Sequence, residues 1–569
     1  MKRTKGTFAR LYTREGERLS TQPWNCYPRP QLRREDWLNL NGDWAFTVSA
    51  DEEVPAVFER TIRVPFPPES LLSGIHEVFP EEKNRFYKTS FTLPAGFRKD
   101  RVLLHVGAAD QVAAVWVNGV KVGEHTGGYQ PFTLDITHVL GEENILVIRV
   151  SDHLSRQILP YGKQCHRRGG MWYTPVSGIW QTVWLESVPR EYIRSLRIDT
   201  GENFVEFSTE KLDGTIDIQT PEGPVELPLK AGKARMELDH PRLWSPEEPY
   251  LYHCTIHAGE DVVSTYFALR TIDVREADGI PRLCLNGKPY FFHGLLDQGY
   301  WSDGAFTPAA PESYEQDILA MKSLGFNTLR KHIKVEPEQF YYDCDRLGMI
   351  VFQDFVNNGD YNFIRDTALP TVGLKARGDR NLHRDPKTRS AFLTHMEQTV
   401  QQLWNHPSVC YWTIFNEGWG QFDSTALYRH LKALDSTRIV DSASGWFTGG
   451  ESDVVSDHVY FKPFRPRKTK KPLVLSEFGG YAWKVPDHAF DPDHEYGYRH
   501  FEDQETFEKA LVELYEKEIV PAIPKGLCGA IYTQLSDVED ETNGLVTYDR
   551  KVMKVDPKVM MVLAEKLKI

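Results

Sequence analysis

The run Val409-Cys410-Tyr411-Trp412-Thr413-Ile414-Phe415-Asn416-Glu417-Gly418 is apolar nearly to its end and then stops on an acid and a glycine. It is shorter than an ordinary helix and is rich in β-branched and aromatic residues, the texture of a strand buried on both faces of a parallel sheet. Working outward from it, similar apolar runs occupy residues 290–294, 328–331, 350–355, 439–442, 458–461, 473–477 and 529–534. Amphipathic segments at 311–324, 337–347, 389–405 and 506–519 fall between most of them. The first carries Glu312 and Glu315 in its opening turns, where a helix N-terminus favours acids. Eight strands alternating with helices predict a (β/α)8 TIM barrel over residues 276–569.

Upstream the texture changes. Residues 101–106, 112–117, 120–124 and 144–150 are short alternating runs separated by turns such as Asn118-Gly119 and Gly127-Gly128. They predict an antiparallel jelly-roll β-sandwich over residues 1–188. Residues 189–275 continue in strands, with turns at Asp213-Gly214, Glu222-Gly223 and Ala231-Gly232, at a length that fits a small immunoglobulin-like sandwich. The expected molecule is therefore multidomain.

Composition narrows the function classes. The 569 residues carry a net charge of −13, which argues against a nucleic-acid partner. The basic cluster Lys462, Arg465, Arg467, Lys468, Lys470 and Lys471 is broken by Pro463 and Pro466 and reads as a solvated loop. Seven dispersed cysteines lack metal-ligand spacing, and their odd number argues against a complete disulfide framework. The polar first twenty residues argue against a signal peptide, and no apolar stretch reaches membrane-spanning length. The expectation is a cytoplasmic protein with no membrane partner, no metal and no cofactor, and a homo-oligomer is compatible with it. The 30 Phe, 25 Tyr and 14 Trp suit β-rich cores, and they also suit sugar rings, whose C–H faces pack on aromatics.

A barrel's chemistry sits at the C-terminal ends of its strands. Two of the eight runs end on glutamate, Glu417 after the fourth and Glu477 after the seventh, across the mouth from one another. Glycoside hydrolysis uses such a pair, retaining configuration when the carboxyl groups are ~5–5.5 Å apart and inverting it at ~6.5–9.5 Å. Two structural salt-bridge partners are the alternative. The position of both glutamates at strand ends, each followed by glycine within two residues, weighs against it.

The stretch Trp404-Asn405-His406-Pro407-Ser408 and the opening run through Glu417 resemble the acid/base signature of glycoside hydrolase family 2, which includes β-galactosidases, β-glucuronidases and β-mannosidases. Gly325-Phe326-Asn327-Thr328-Leu329-Arg330-Lys331-His332, Val115-Trp116-Val117-Asn118-Gly119, Ser177-Gly178-Ile179-Trp180 and Leu243-Trp244-Ser245-Pro246 match it too, in the family's domain order. The resemblance implies a retaining exo-β-glycosidase acting on a terminal sugar of a carbohydrate substrate, most simply a β-galactosidase, with β-glucuronidase or another β-glycosidase of the family as alternative. It implies Glu417 as acid/base, Glu477 as nucleophile, Asn416 on the sugar 2-hydroxyl and Arg330 holding the nucleophile ionised. Tyr460 would orient the nucleophile, and His332 would contact the sugar. Asp354 at the end of the third strand would take a sugar hydroxyl, with a rim ion pair as its alternative. Tyr532 stands where a tryptophan platform is usual, and Trp172, Trp301 and Trp419 are further platform candidates.

Two departures bear on specificity. After His332 the family's aromatic and proline are replaced by Ile333-Lys334, so Lys334 either reaches an acidic substituent or points to solvent. Residues 541–545 occupy the place of the asparagine-any-lysine motif of β-glucuronidases, and the lysine is absent. A non-catalytic carbohydrate-binding protein is the rival reading, opposed by the presence of both glutamates. No phosphate-cradling glycine loop, serine elbow or paired-histidine zinc motif supports other chemistry.

Overall fold

The structure, a computed structural model, describes residues 8–369, 378–445, 447 and 450–569. The first sandwich pairs a six-stranded antiparallel sheet, Arg60–Val64, Gly42–Ser49, Asn84–Phe91, Asn144–Ser151, Val112–Val117 and Val120–Thr126 in spatial order, with a four-stranded one. The latter is ordered Trp37–Asn39, Val183–Val188, Arg101–Val106, Phe132–Asp135. Period-two alternation sends Trp44, Phe46, Leu104, Val115 and Ile148 into one core between the sheets. Asn118 and Gly119 both have positive φ, the geometry a tight hairpin needs between Val112–Val117 and Val120–Thr126. The second sandwich packs a three-stranded sheet on a four-stranded one around Val205, Phe207, Ile216, Ile218 and Tyr252.

The barrel strands are β1 (Phe292–Asp297), β2 (Thr328–Lys331), β3 (Ile350–Asp354), β4 (Val409–Thr413), β5 (Ile439–Asp441), β6 (Val455–Val459), β7 (Leu473–Gly479) and β8 (Leu527–Thr533). All neighbouring pairs are parallel, and the order β5-β4-β3-β2-β1-β8-β7-β6 is a nearly closed barrel, with β5 and β6 as its edges among the described residues. Outside it stand α1 (Glu312–Ser323), α2 (Glu338–Leu347), α3 (Pro386–Leu403), α4 (Ser424–Leu434), α5 (Gln504–Leu514) and α6 (Pro557–Glu565). Among the described residues no helix lies between β5 and β6 or between β6 and β7. The sixth strand begins earlier than the run 458–461 predicts. Its ladder with β7 starts at Val455, and Tyr460-Phe461 have already left the sheet.

Strand alternation sorts the side chains. Phe292, Phe352, Tyr411, Val474 and Ile531 fill the barrel, with Phe352 stacked on Tyr411 at 4.2 Å, while Leu329, Val351, Trp412, Leu475 and Tyr532 face the helices. Leu283 and Leu285 of the hairpin before β1 join the interior cluster.

Buried charges bind the modules together. Arg34 bridges Glu186 of the first sandwich (3.2 Å) and Asp261 of the second (2.7 Å). Arg270 donates from the second sandwich to the carbonyls of Pro407 (2.9 Å) and Val409 (2.8 Å), steadying the entry to β4.

Candidate active site

Both glutamates stand at the C-terminal mouth of the barrel. Glu477 lies within β7, and Glu417 follows β4 in a left-handed turn, φ +50°, with Gly418 at φ +80° behind it. Such a turn swings the side chain back over the mouth, and its strain is of the kind seen at functional sites. A Cβ on Gly418 would stand 2.3 Å from Phe447, and one on Gly479 would stand 2.3 Å from Tyr532, so the glycine after each strand end is demanded by space as well as by φ. One carboxylate oxygen of Glu417, one of Glu477 and a ring nitrogen of His458 all lie within 4.8 Å of one another. His458 Nδ1 is 2.8 Å from Glu417 Oε1 and 3.5 Å from Glu477 Oε2.

The two carboxyls live in different surroundings. Arg330 Nη1 donates to Glu477 Oε1 at 3.0 Å, and the Tyr460 hydroxyl donates to Oε2 at 2.5 Å. Burial alone would raise the Glu477 pKa, but His458, Arg330, His332 and the Tyr460 hydroxyl overcome it and bring it down to about 2. Among the described residues the side chain of Glu417 meets His458 Nδ1, and no arginine pairs with it. The three-residue cluster has the size of a cation site, yet Arg330 and Tyr460 already satisfy the oxygens of Glu477.

Arg330, at the inner face of β2, organises the floor. Its guanidinium donates to Asp354 Oδ1 (Nε, 3.0 Å), the Ser476 carbonyl (3.0 Å), Asn416 Oδ1 (2.9 Å) and Ser444 Oγ (3.0 Å). Its field, opposing burial, keeps Asp354 ionised below the usual range. Asp354 Oδ2 also holds His332 Nδ1 at 2.6 Å, so of the two readings of Asp354 the ion pair is present. Burial, with Lys163 second, lowers His332 to about 4, a neutral imidazole at neutral pH. Asn416 commits its oxygen to Arg330, and among the described residues its Nδ2, a buried donor, has no partner.

Glu417, Glu477, Asn416, Arg330, His332, Asp354 and Tyr460 thus meet in one place. Trp419 joins them at the rim, its ring 6.4 Å from His332 and 5.3 Å from Trp172 of the first sandwich. Tyr532 does not join them. Ile531 faces the barrel interior, the Thr533 hydroxyl is 2.9 Å from that of Tyr460, and alternation turns Tyr532 outward against Phe478 in the barrel–helix layer. A platform at Tyr532 is therefore corrected to a packing residue behind Gly479. Trp301 likewise packs on Tyr314 and under Arg550 in that outer core. Lys334 neither contacts the mouth nor reaches solvent. It is 1 % exposed, with Nζ on Glu336 (2.9 Å) and on the carbonyls of Gly299 (2.5 Å) and Phe306 (2.8 Å).

The site also holds His458, Ser444, Tyr498, Lys163 and Glu541, which sequence reasoning did not single out. His458 had a legible signal, since it opens the apolar run 458–461. Tyr498, stacked 4.1 Å from Tyr460, and Lys163 come from loops and from another domain.

Comparison with known proteins bears on the family and the fold. The family model "Glycosyl hydrolases family 2, TIM barrel domain" matches residues 279–554, the galactose-binding domain-like model of that family matches 76–194, and its central domain matches 197–270. The chain belongs to glycosyl hydrolase family 2 and is a glycoside hydrolase. Among its relatives are a β-glucuronidase of Felis catus, 26% identical over 73% of this chain and 69% of its own, and a β-galactosidase of Thermoanaerobacter pseudethanolicus, 26% identical over 70% and 54%. The fold matches the β-D-glucuronidase of Dictyoglomus thermophilum, with TM-score 0.72, 21% identity and coverage of 95% and 98%. It also matches an Eisenbergiella tayi β-galacturonidase bound to galacturonate, with TM-score 0.66, 19% identity and coverage of 95% and 99%.

Proposed function

We propose that the protein is a retaining exo-β-glycosidase that works by double displacement. One observation carries the reading: two carboxyl groups within 4.8 Å of each other, with Glu477 held by an arginine and a tyrosine. Glu477 attacks the anomeric carbon while Glu417 gives its proton to the leaving oxygen, and the aglycone departs as an alcohol. Glu417, now a base, takes a proton from water, whose oxygen displaces Glu477 and regenerates the β-anomer. The free Nδ2 of Asn416 suits the sugar 2-hydroxyl, whose hydrogen bond strengthens as charge develops at the anomeric carbon. Loops of the first sandwich carrying Lys163 and Trp172 stand over the mouth beside Trp419, which favours a pocket for one terminal sugar.

For the glycone, the sequence resemblance favours a galactoside, whereas the names of the relatives weigh toward a glucuronide. We take the glucuronide as first reading and the galactoside, after the Thermoanaerobacter relative, as second. Proton NMR of the first-formed product of p-nitrophenyl β-glycoside cleavage tests retention: β-sugar should appear before mutarotation, and initial α-sugar would refute the mechanism.

A further inference from the structure

Among the described residues, several cations on or behind the barrel mouth have carboxylate partners, and Lys163 does not. Arg330 holds Asp354 and Glu477, Lys331 holds Asp297 and Glu336, Lys334 holds Glu336, and Arg168 holds Glu539 and Asp540. Lys163 is only 7 % exposed, yet among the described residues no carboxylate pairs with it and no hydrogen-bond acceptor takes its Nζ. The ammonium stands over the rings of Tyr173 and Trp419, 5.6 Å from each centroid. Its field is felt by His332 and by Glu541.

The residue is also held still. Tyr161 N–H donates to the Asn357 carbonyl of the barrel (3.0 Å), and Tyr173 N–H donates to the Lys163 carbonyl (3.0 Å). A Cβ on Gly162, φ +67°, would stand 2.9 Å from the Ile333 carbonyl, so this sandwich loop lies directly on the end of β2. A largely desolvated, immobilised cation facing a binding site is costly unless a ligand supplies its partner.

We propose that Lys163 is the glycone-selecting residue, its ammonium pairing with an acidic substituent, a uronate carboxylate, on the terminal sugar held between Glu417 and Glu477. The proposal rests on the glycosidase reading above and assigns to the sandwich domain the charge that residues 541–545 lack. Glu541 stands on the same wall, with Oε2 accepting from Gln534 Nε2 (2.7 Å) and the Tyr173 hydroxyl (3.0 Å). Burial pushes its carboxyl above the usual range and Lys163 pulls it back, so the rival role for Lys163 is to balance Glu541.

The test compares kcat/KM for p-nitrophenyl β-D-glucuronide and β-D-galactoside in the full chain, in Lys163→Met, Lys163→Arg, Glu541→Gln and the double variant Lys163→Met/Glu541→Gln. Lys163→Met should lower the glucuronide-to-galactoside ratio about 100-fold, mainly through KM, as loss of a buried charge partner does. Lys163→Arg should keep most of the ratio, and the double variant should stay as low as Lys163→Met. An unmoved ratio, a ratio restored in the double variant, or a wild type that cleaves only the galactoside overturns the assignment. Labelling by 2-deoxy-2-fluoro-β-galactosyl fluoride, read by intact mass, separates the two levels. A labelled enzyme with an unmoved ratio sinks Lys163 alone, whereas a wild type that neither labels nor turns over either substrate sinks the glycosidase reading with it.

Discussion

Glu477 and Glu417 are the same residue type with opposite assignments, and their neighbours make the difference. With its pKa at about 2, below an ordinary ~4.3, Glu477 stays ionised through the whole physiological range. The sign for stability follows. The depressed pKa stabilises the fold above the unfolded value, and that contribution is lost as pH falls from about 4 toward 2. Arg330→Met leaves Glu477 and Asp354 buried without their cation, so burial should raise the Glu477 pKa. The acid limb of kcat/KM should move up in pH and the maximum fall about 10³-fold, checked by a pH–rate profile. Glu417→Gln should cost about 10²–10⁴ in kcat/KM for alkyl aglycones and much less for p-nitrophenyl, because in the first step only a poor leaving group needs the proton. A leaving-group series measures the difference.

At the scale of elements, the segment before β4 explains a motif that sequence alone presents only as a resemblance. Asp345, at the end of α2, accepts from the Tyr266 hydroxyl (2.7 Å) and Ser408 N–H (2.9 Å) and holds His406 Nδ1 at 2.7 Å. Its carbonyl accepts from Trp244 Nε1 at 2.7 Å. Residues of two widely separated motifs thus converge on one buried acid, which sets where β4 begins and hence where Glu417 ends up. Asp345→Ala strands His406, Tyr266 and a backbone N–H, and should cost about 3 kcal/mol in denaturant unfolding. Among the described residues no helix flanks β6. Here the chain comes straight off the strand, and Tyr460 reaches Glu477 in the mouth.

At the scale of the whole molecule, the mouth is built by two domains. Arg168 of the sandwich clasps Glu539 (2.6 Å) and Asp540 (2.5 Å) after β8 and lies on the rings of Phe8 and Phe490. It shares a loop region with Lys163 and Trp172, so Arg168→Ala should loosen the rim while leaving the barrel intact. We expect kcat/KM to fall about tenfold with a modest loss of stability, about 1–3 kcal/mol, read by steady-state kinetics and thermal unfolding.

Much of this was written locally. Each of the eight apolar runs overlaps its strand to within a few residues at either end, because barrel strands are largely continuous in hydrophobicity. The strand-end rule then places Glu417 and Glu477 at one mouth. Three matters were left to the tertiary structure. Tyr532 turns outward because its neighbours Ile531 and Thr533 take the inner face, a parity that an all-apolar run conceals. Lys334 disappears into an ion pair with Glu336 because the surrounding loop folds over it. His458 and Lys163 acquire meaning only through side chains up to several hundred residues away, since burial and field depend on what the fold brings near, and no local pattern encodes that.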